Sequence, residues 1–182
     1  MLIRPARPEE AGSLADLAIR SKAHWPYPAA FVARFARTVG LTPEVVMAND
    51  VQVAVRDGEV RGFYTLLHRG HLAVLDDLWL EPGEIGRGTG RLLFEHAVTR
   101  TAAAGGTAME WDAEPYATGF YERMGGETVG WTDSPLGRRL PVMRLRLEGS
   151  GVGAVLALRG RHAGGCADRD LRGDGRDDPQ QW

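Results

Sequence analysis

The sequence predicts an α/β fold of the α+β kind, a mixed and mostly antiparallel central sheet of about six or seven strands flanked by helices. Two observations carry this. Apolar runs at residues 51–55, 60–67 and 72–80 follow one another with only Asp57-Gly58 and Arg69-Gly70 as turn signals between them, the spacing of antiparallel neighbours. The third run then passes through Pro82-Gly83 and a glycine-rich loop into a helical pattern, adding a strand–loop–helix unit to the hairpins.

Residues 2–6, LIRPA, read as a first strand. Pro8, Glu9 and Glu10 open a helix, because its first turn favours proline and acids. Leu14, Leu17 and Ala18 give that helix an apolar stripe running toward Lys22. Residues 24–28, HWPYP, interrupt it: two prolines force an extended turn that carries an imidazole, an indole and a phenol. Phe31, Val32, Phe35, Ala36 and Val39 recur at helical spacing before Gly40, and Thr42-Pro43-Glu44 begins another short helical turn.

The central run, residues 72–80, is apolar but for Asp76 and Asp77. Simple alternation puts Val74, Asp76, Leu78 and Leu80 on one face, and Asp77, Trp79 and Glu81 on the other. Proline and glycine at 82 and 83 end the strand. Beyond the loop, Leu93, Phe94, Ala97, Val98 and Thr101 repeat helically until Gly105-Gly106. Residues 108–112 form a fifth strand, 114–126 contain a short helix, and 127–131 and 140–147 complete the sheet.

Composition bounds the function. The chain of 182 residues suits one domain with a sizeable core. A net charge of −2 gives no general attraction to nucleic acid or to an anionic membrane. No apolar run approaches about 18 residues and the N-terminus lacks a signal-peptide core, so the expectation is a cytoplasmic protein. The single cysteine, Cys166, excludes an intrachain disulfide framework, and scattered histidines without cysteine partners argue against a metal site. Lys22, the only lysine against 21 arginines, reads as compositional bias. Residues 149–182, rich in glycine, arginine and aspartate, are expected to be a largely disordered tail after a folded domain of residues 1–148.

The loop carries the chemistry. Gly86, Gly88 and Gly90 alternate with Arg87 and Thr89 at a helix start. The first-turn N–H groups of a helix have no intrahelical partner, its dipole places positive charge there, and glycine lets backbone approach a phosphate. Arg87 and Arg91 add direct charge. The spacing G-x-G-x-G is not the dinucleotide fingerprint G-x-G-x-x-G, and the loop has no lysine for a Walker A motif.

Leu78-Trp79-Leu80-Glu81-Pro82 followed by Gly88-Thr89-Gly90 resembles the acetyl-CoA-binding segment of the GNAT acetyltransferase superfamily, a strand, a proline-containing connection and [Q/R]-x-x-G-x-G/A opening a helix. Ile85 departs from the arginine or glutamine of that pattern. Residues 114–126, EPYATGFYERMGG, resemble the superfamily's second motif, with Glu114 where asparagine is often found. The two motifs are correctly ordered across about residues 72–126, and I-R-P-A before a helix resembles the superfamily's usual start.

The resemblance implies a GNAT-like fold and N-acetyl transfer from acetyl-CoA to an amine, small-molecule acceptors being favoured, with no metal and with pairing into homodimers as in many relatives. It implies cofactor contacts from Leu78, Trp79, Leu80, Ile85, Gly86, Arg87, Gly88, Thr89, Gly90 and Arg91. Tyr121 matches the tyrosine that protonates or hydrogen-bonds the leaving thiolate. Asp76 is the candidate base or amine-orienting carboxylate, with Glu110 and Asp112 as second choices. His24, Trp25 and Tyr27 are expected to line the acceptor pocket, and the clustered acids suggest a cationic acceptor. The alternatives are a non-catalytic acyl-CoA-binding regulatory module and a protein-modifying or toxin-like acetyltransferase.

Overall fold

The computed structural model of the protein describes residues 1–147; the expected tail at 149–182, with Cys166, lies outside the described residues. The strands are β1 (Leu2–Pro5), β2 (Asp50–Arg56), β3 (Glu59–Arg69), β4 (Leu72–Leu80), β5 (Ala108–Asp112), β6 (Glu127–Asp133) and β7 (Arg139–Arg146). The helices are α1 (Ala11–Ala23), α2 (Ala29–Ala36), α3 (Pro43–Ala48), α4 (Thr89–Ala103) and α5 (Thr118–Arg123). Every expected element is present, and Pro8–Glu10 forms a 3-10 turn that leads into α1.

The strands form one sheet in the order β1-β2-β3-β4-β5-β7-β6. Only β4 and β5 run parallel; every other neighbouring pair is antiparallel. Asp57 and Gly58, both at positive φ (54° and 79°), make the two-residue turn between β2 and β3 that matches strand twist. The final hairpin enters in reverse, with β7 between β5 and β6.

Each face of the sheet carries its own core. On one face α4 packs Leu93, Phe94, Ala97 and Val98 against Tyr64, Leu66, Leu75 and Met109. On the other, Leu14, Leu17 and Ala18 of α1 and Val46 of α3 pack against Val53 and Phe63. Alternation along β2 and β3 sends adjacent residues to opposite cores, Val53 to one and Ala54 to the other.

Two irregularities in β4 shape the site. Thr65 pairs with Asp77 and Leu66 with Leu75, so Asp76 is an extra, unpaired residue in a β-bulge. The bulge shifts alternation by one: Leu75, Leu78 and Leu80 all pack on the α4 side, and Trp79 on the α1 side. The uninterrupted alternation read from sequence, with Val74 and Asp76 sharing a face with Leu78, therefore does not hold. The second irregularity is that β4 and β5 pair only from Leu72 with Ala108 to Val74 with Glu110. Beyond Val74 the strands part, and β4 keeps an open edge.

Candidate active site

The parting strands open a cavity of about 570 Å³. It extends from the glycine loop at Gly86, Gly88 and Arg91, along Leu78 and Leu80, to Trp25 and Tyr116.

Gly88 caps α4 with φ +88° and Gly86 sits at φ +79°, backbone angles that favour glycine. A Cβ at either would meet nothing within 4 Å, so the space above the loop is open. The amides of Gly86, Gly88 and Thr89 donate to no acceptor among the described residues. This is an anion cradle with free donors, and its open groups and space fit the phosphates of a coenzyme A.

Glu84, which sequence reasoning passed over, holds the cradle from beneath. Its buried carboxylate accepts from Thr89 Oγ1 at 2.5 Å and from Arg56 at 2.9 Å, the arginine balancing a negative charge that would otherwise oppose an anion. Thr89 is thereby buried as a strut. Arg91 lines the cavity, tied to Glu95 at 2.8 Å, whereas Arg87 is exposed outside its wall. Ile85, Trp79 and Gly90 all line it.

Tyr121 lies at the inner wall, only 8% exposed, its ring 4.9 Å from Trp111 and 5.0 Å from Phe120. Its hydroxyl bonds to no side chain among the described residues. Burial, reinforced by the charges of Glu114 and Asp77, holds the phenol well above its ordinary range, so it stays protonated.

Asp76 on the bulge and Asp112 at the end of β5 both line the cavity where the strands part. Burial raises the Asp112 carboxyl, and the charges of Asp76 and Glu110 raise it further. Glu110 itself is not brought to the cavity: it faces Arg144 across the β5–β7 ladder and is ion-paired to it.

Of the expected acceptor aromatics, Trp25 reaches the cavity wall, stacked on Tyr116 with centroids 5.2 Å apart and planes 4° from parallel. His24 stays exposed, edge-on to Trp25 at 5.3 Å. Tyr27 stands behind the lining rather than in it and gives its hydroxyl to Glu114, since a phenol going under cover needs an acceptor.

Glu114 lines the cavity and is the centre of a buried cluster. Burial alone would raise its carboxyl, but bonds from Lys22 and Tyr27 more than offset this and hold it below the ordinary carboxylate range. Arg138 adds a bond at 3.2 Å. The Lys22 ammonium is lowered by burial and supported by Glu114, and it lies 5.0–5.8 Å from the ring centres of Tyr27, Phe31, Phe35 and Trp79. Lys22 is therefore a structural cation, not a compositional accident. The signal was its position one turn after Ala18 on the apolar stripe of α1, where a charge must find a partner.

The chain matches the model of the acetyltransferase (GNAT) family over residues 14–126. It is similar to the peptidyl-lysine N-acetyltransferase YjaB of Salmonella typhimurium, 34% identical over 94 residues, a match covering 51% of this chain and 61% of that protein. Among solved structures it is similar to the PaiA N-acetyltransferase from Thermoplasma acidophilum in complex with coenzyme A, with a TM-score of 0.68 and 18% identity over 80% of this chain and 98% of that one. An aminoglycoside 6'-N-acetyltransferase complexed with coenzyme A superposes with a TM-score of 0.61 at 18% identity, covering 82% and 99% of the two chains. At such identity these structures speak for the fold.

Proposed function

The chain belongs to the acetyltransferase (GNAT) family, and on that premise we propose that it moves an acetyl group from acetyl-CoA to the amine of a small-molecule acceptor by direct attack. One observation carries this reading: the free-donor cradle, the open edge of β4 and Tyr121 all border a single cavity.

When bound, acetyl-CoA supplies an activated acetyl thioester. The cradle amides and Arg91 hold its phosphates, and the open edge of β4 at Leu78 and Leu80 orients the pantetheine arm like an added strand. Tyr121 donates to the departing sulfur. Because burial holds its pKa far above the roughly 8.5 of a thiol, its part is a hydrogen bond that stabilises the developing thiolate, with full proton transfer uphill.

Asp76 and Asp112 lie at the other end of the cavity, where they hold the acceptor ammonium and lead its proton away through water. Asp112, raised by burial, shares a proton more readily than an ordinary carboxylate does. Glu114 is excluded as the base, because three donors hold it ionised. The Trp25–Tyr116 stack makes the acceptor's wall. A second reading, in which the acceptor is a lysine side chain of a protein, is supported by the similarity to a peptidyl-lysine N-acetyltransferase.

Calorimetry of acetyl-CoA against the wild-type chain and Gly88→Glu is the first test. Micromolar binding is expected, lost in the variant while Gly88→Asn, which tolerates positive φ, retains much of it. Thiol release is then followed with polyamines, aminoglycosides and lysine peptides. Absence of binding by the wild type overturns the reading, and binding without turnover on any amine makes the chain an acyl-CoA-binding module.

A further inference from the structure

The apolar stripe of α1 runs through Leu14, Leu17 and Ala18, and its next place is taken by a polar residue, Ser21. Ser21 is only 5% exposed, and it lines the cavity together with Trp25 and Glu114. Helical hydroxyls elsewhere in the chain turn back onto the backbone: Ser13 donates to the Glu10 carbonyl at 2.8 Å and Thr99 to that of Glu95 at 2.9 Å. Ser21 Oγ makes no such bond and has no other partner among the described residues. Nor is it sealed in the core like the unpartnered Thr65 Oγ1, because Ser21 opens on the cavity. A covered hydroxyl without a partner is rare in a packed interior, and this one lacks a group that enters from the cavity.

The rest of the lining says what that group belongs to. Asp76 and Asp112 form no ion pair among the described residues, whereas Glu114 is taken by Lys22 and Arg138. Those two free carboxylates, on β4 and β5, suit the ammonium that is to be attacked. The Trp25–Tyr116 stack suits the carbon skeleton that carries it. Ser21 stands on α1, a different element, and so meets a different part of the same molecule.

We propose that Ser21 is a specificity-determining residue, whose hydroxyl bonds a second polar group of the acceptor, an amine or a hydroxyl remote from the nitrogen that Asp76 and Asp112 hold. The acceptor is then a diamine or an amino alcohol in its local chemistry, and a simple monoamine is a poor one. The proposal rests on the acetyl-transfer reading above.

Thiol release from acetyl-CoA tests it, with cadaverine, aminopentanol and pentylamine as a matched set beside polyamines, aminoglycosides and lysine peptides. The wild type is expected to prefer cadaverine or aminopentanol to pentylamine about tenfold in kcat/KM, the worth of one hydrogen bond. Ser21→Ala should raise KM for the preferred acceptors by about the same factor, with kcat, acetyl-CoA affinity and the pentylamine KM unchanged. Alanine suits the apolar stripe, so the fold is retained, which thermal melting checks; Ser21→Cys, close in size, should behave alike. Unchanged KM in Ser21→Ala for every acceptor that the wild type uses, or an equal rise for pentylamine, overturns the role of Ser21 and leaves acetyl transfer standing. Failure of the wild type to acetylate any amine overturns both.

Discussion

The ammonium of Lys22 is bonded to the carboxylate of Glu114, which stands 92 residues later in the chain. This ion pair fastens the end of α1 to the segment entering α5. It also fixes the turn carrying Trp25 and Tyr27 against the turn carrying Tyr116, and so shapes that end of the cavity.

Removing one partner leaves the other buried and uncompensated. Lys22→Met is expected to cost about 3–5 kcal/mol of folding stability, measured by urea unfolding. The double variant Lys22→Met with Glu114→Gln should recover a large part of that loss. Equal stability of the single and double variants would mean that the two charges are not coupled.

Tyr121→Phe removes the hydroxyl proposed to meet the leaving sulfur and leaves the ring packing with Trp111 and Phe94 intact. The expected result is a fall in kcat of about 100-fold with acetyl-CoA affinity unchanged. Asp112→Asn should instead raise the acceptor KM and flatten the acidic limb of the rate profile. Wild-type kinetics in either variant would remove that residue from the mechanism.

Asp77 is half-buried beside Trp79, whose indole N–H donates to it at 2.8 Å. Burial raises its pKa despite that bond. An acid raised in the folded state holds its proton longer than in the unfolded state, so stability declines as pH rises above the unfolded value of about 3.9. Asp77→Asn keeps an acceptor for Trp79 and should raise Tm at pH 7 and hardly at all at pH 3.5. Identical Tm shifts at both pH values would contradict this.

Glu10 behaves oppositely. Arg4 grips both its oxygens, at 2.6 and 2.8 Å, and with the Arg7 amide holds the carboxyl down to about 2. Its stabilisation is complete above the unfolded pKa of about 4.3 and is lost as pH falls toward 2. Glu10→Ala should cost about 2 kcal/mol at pH 7 and progressively less in acid, as read from denaturant midpoints between pH 2.5 and 7.

How much of this was legible beforehand differs between local and distant features. The glycine loop is contiguous: Pro82-Gly83, the alternating glycines and the stripe from Leu93 to Thr101 state a strand, a cradle and a helix without help from the rest of the chain. Tyr121, Asp76 and Asp112 were legible as candidates, and the structure brings all three to one cavity. Glu110, His24 and Tyr27 were named for the same place, yet cross-strand pairing took Glu110 to Arg144, exposure kept His24 outside, and Glu114 claimed Tyr27.

The sequence by itself determined the elements, their order, the glycine-rich loop and the two motifs, because each rests on propensities and spacings within a few residues. Only the tertiary structure decided the bulge at Asp76, the parting of β4 from β5, the insertion of β7 beside β5 and the union of Lys22 with Glu114. Those depend on which distant backbone or charge meets which once the cores close. A pairing register and a buried charge's partner are set by the whole fold, since a shift of one residue exchanges the faces of a strand and an unmatched buried charge costs more than most single contacts supply.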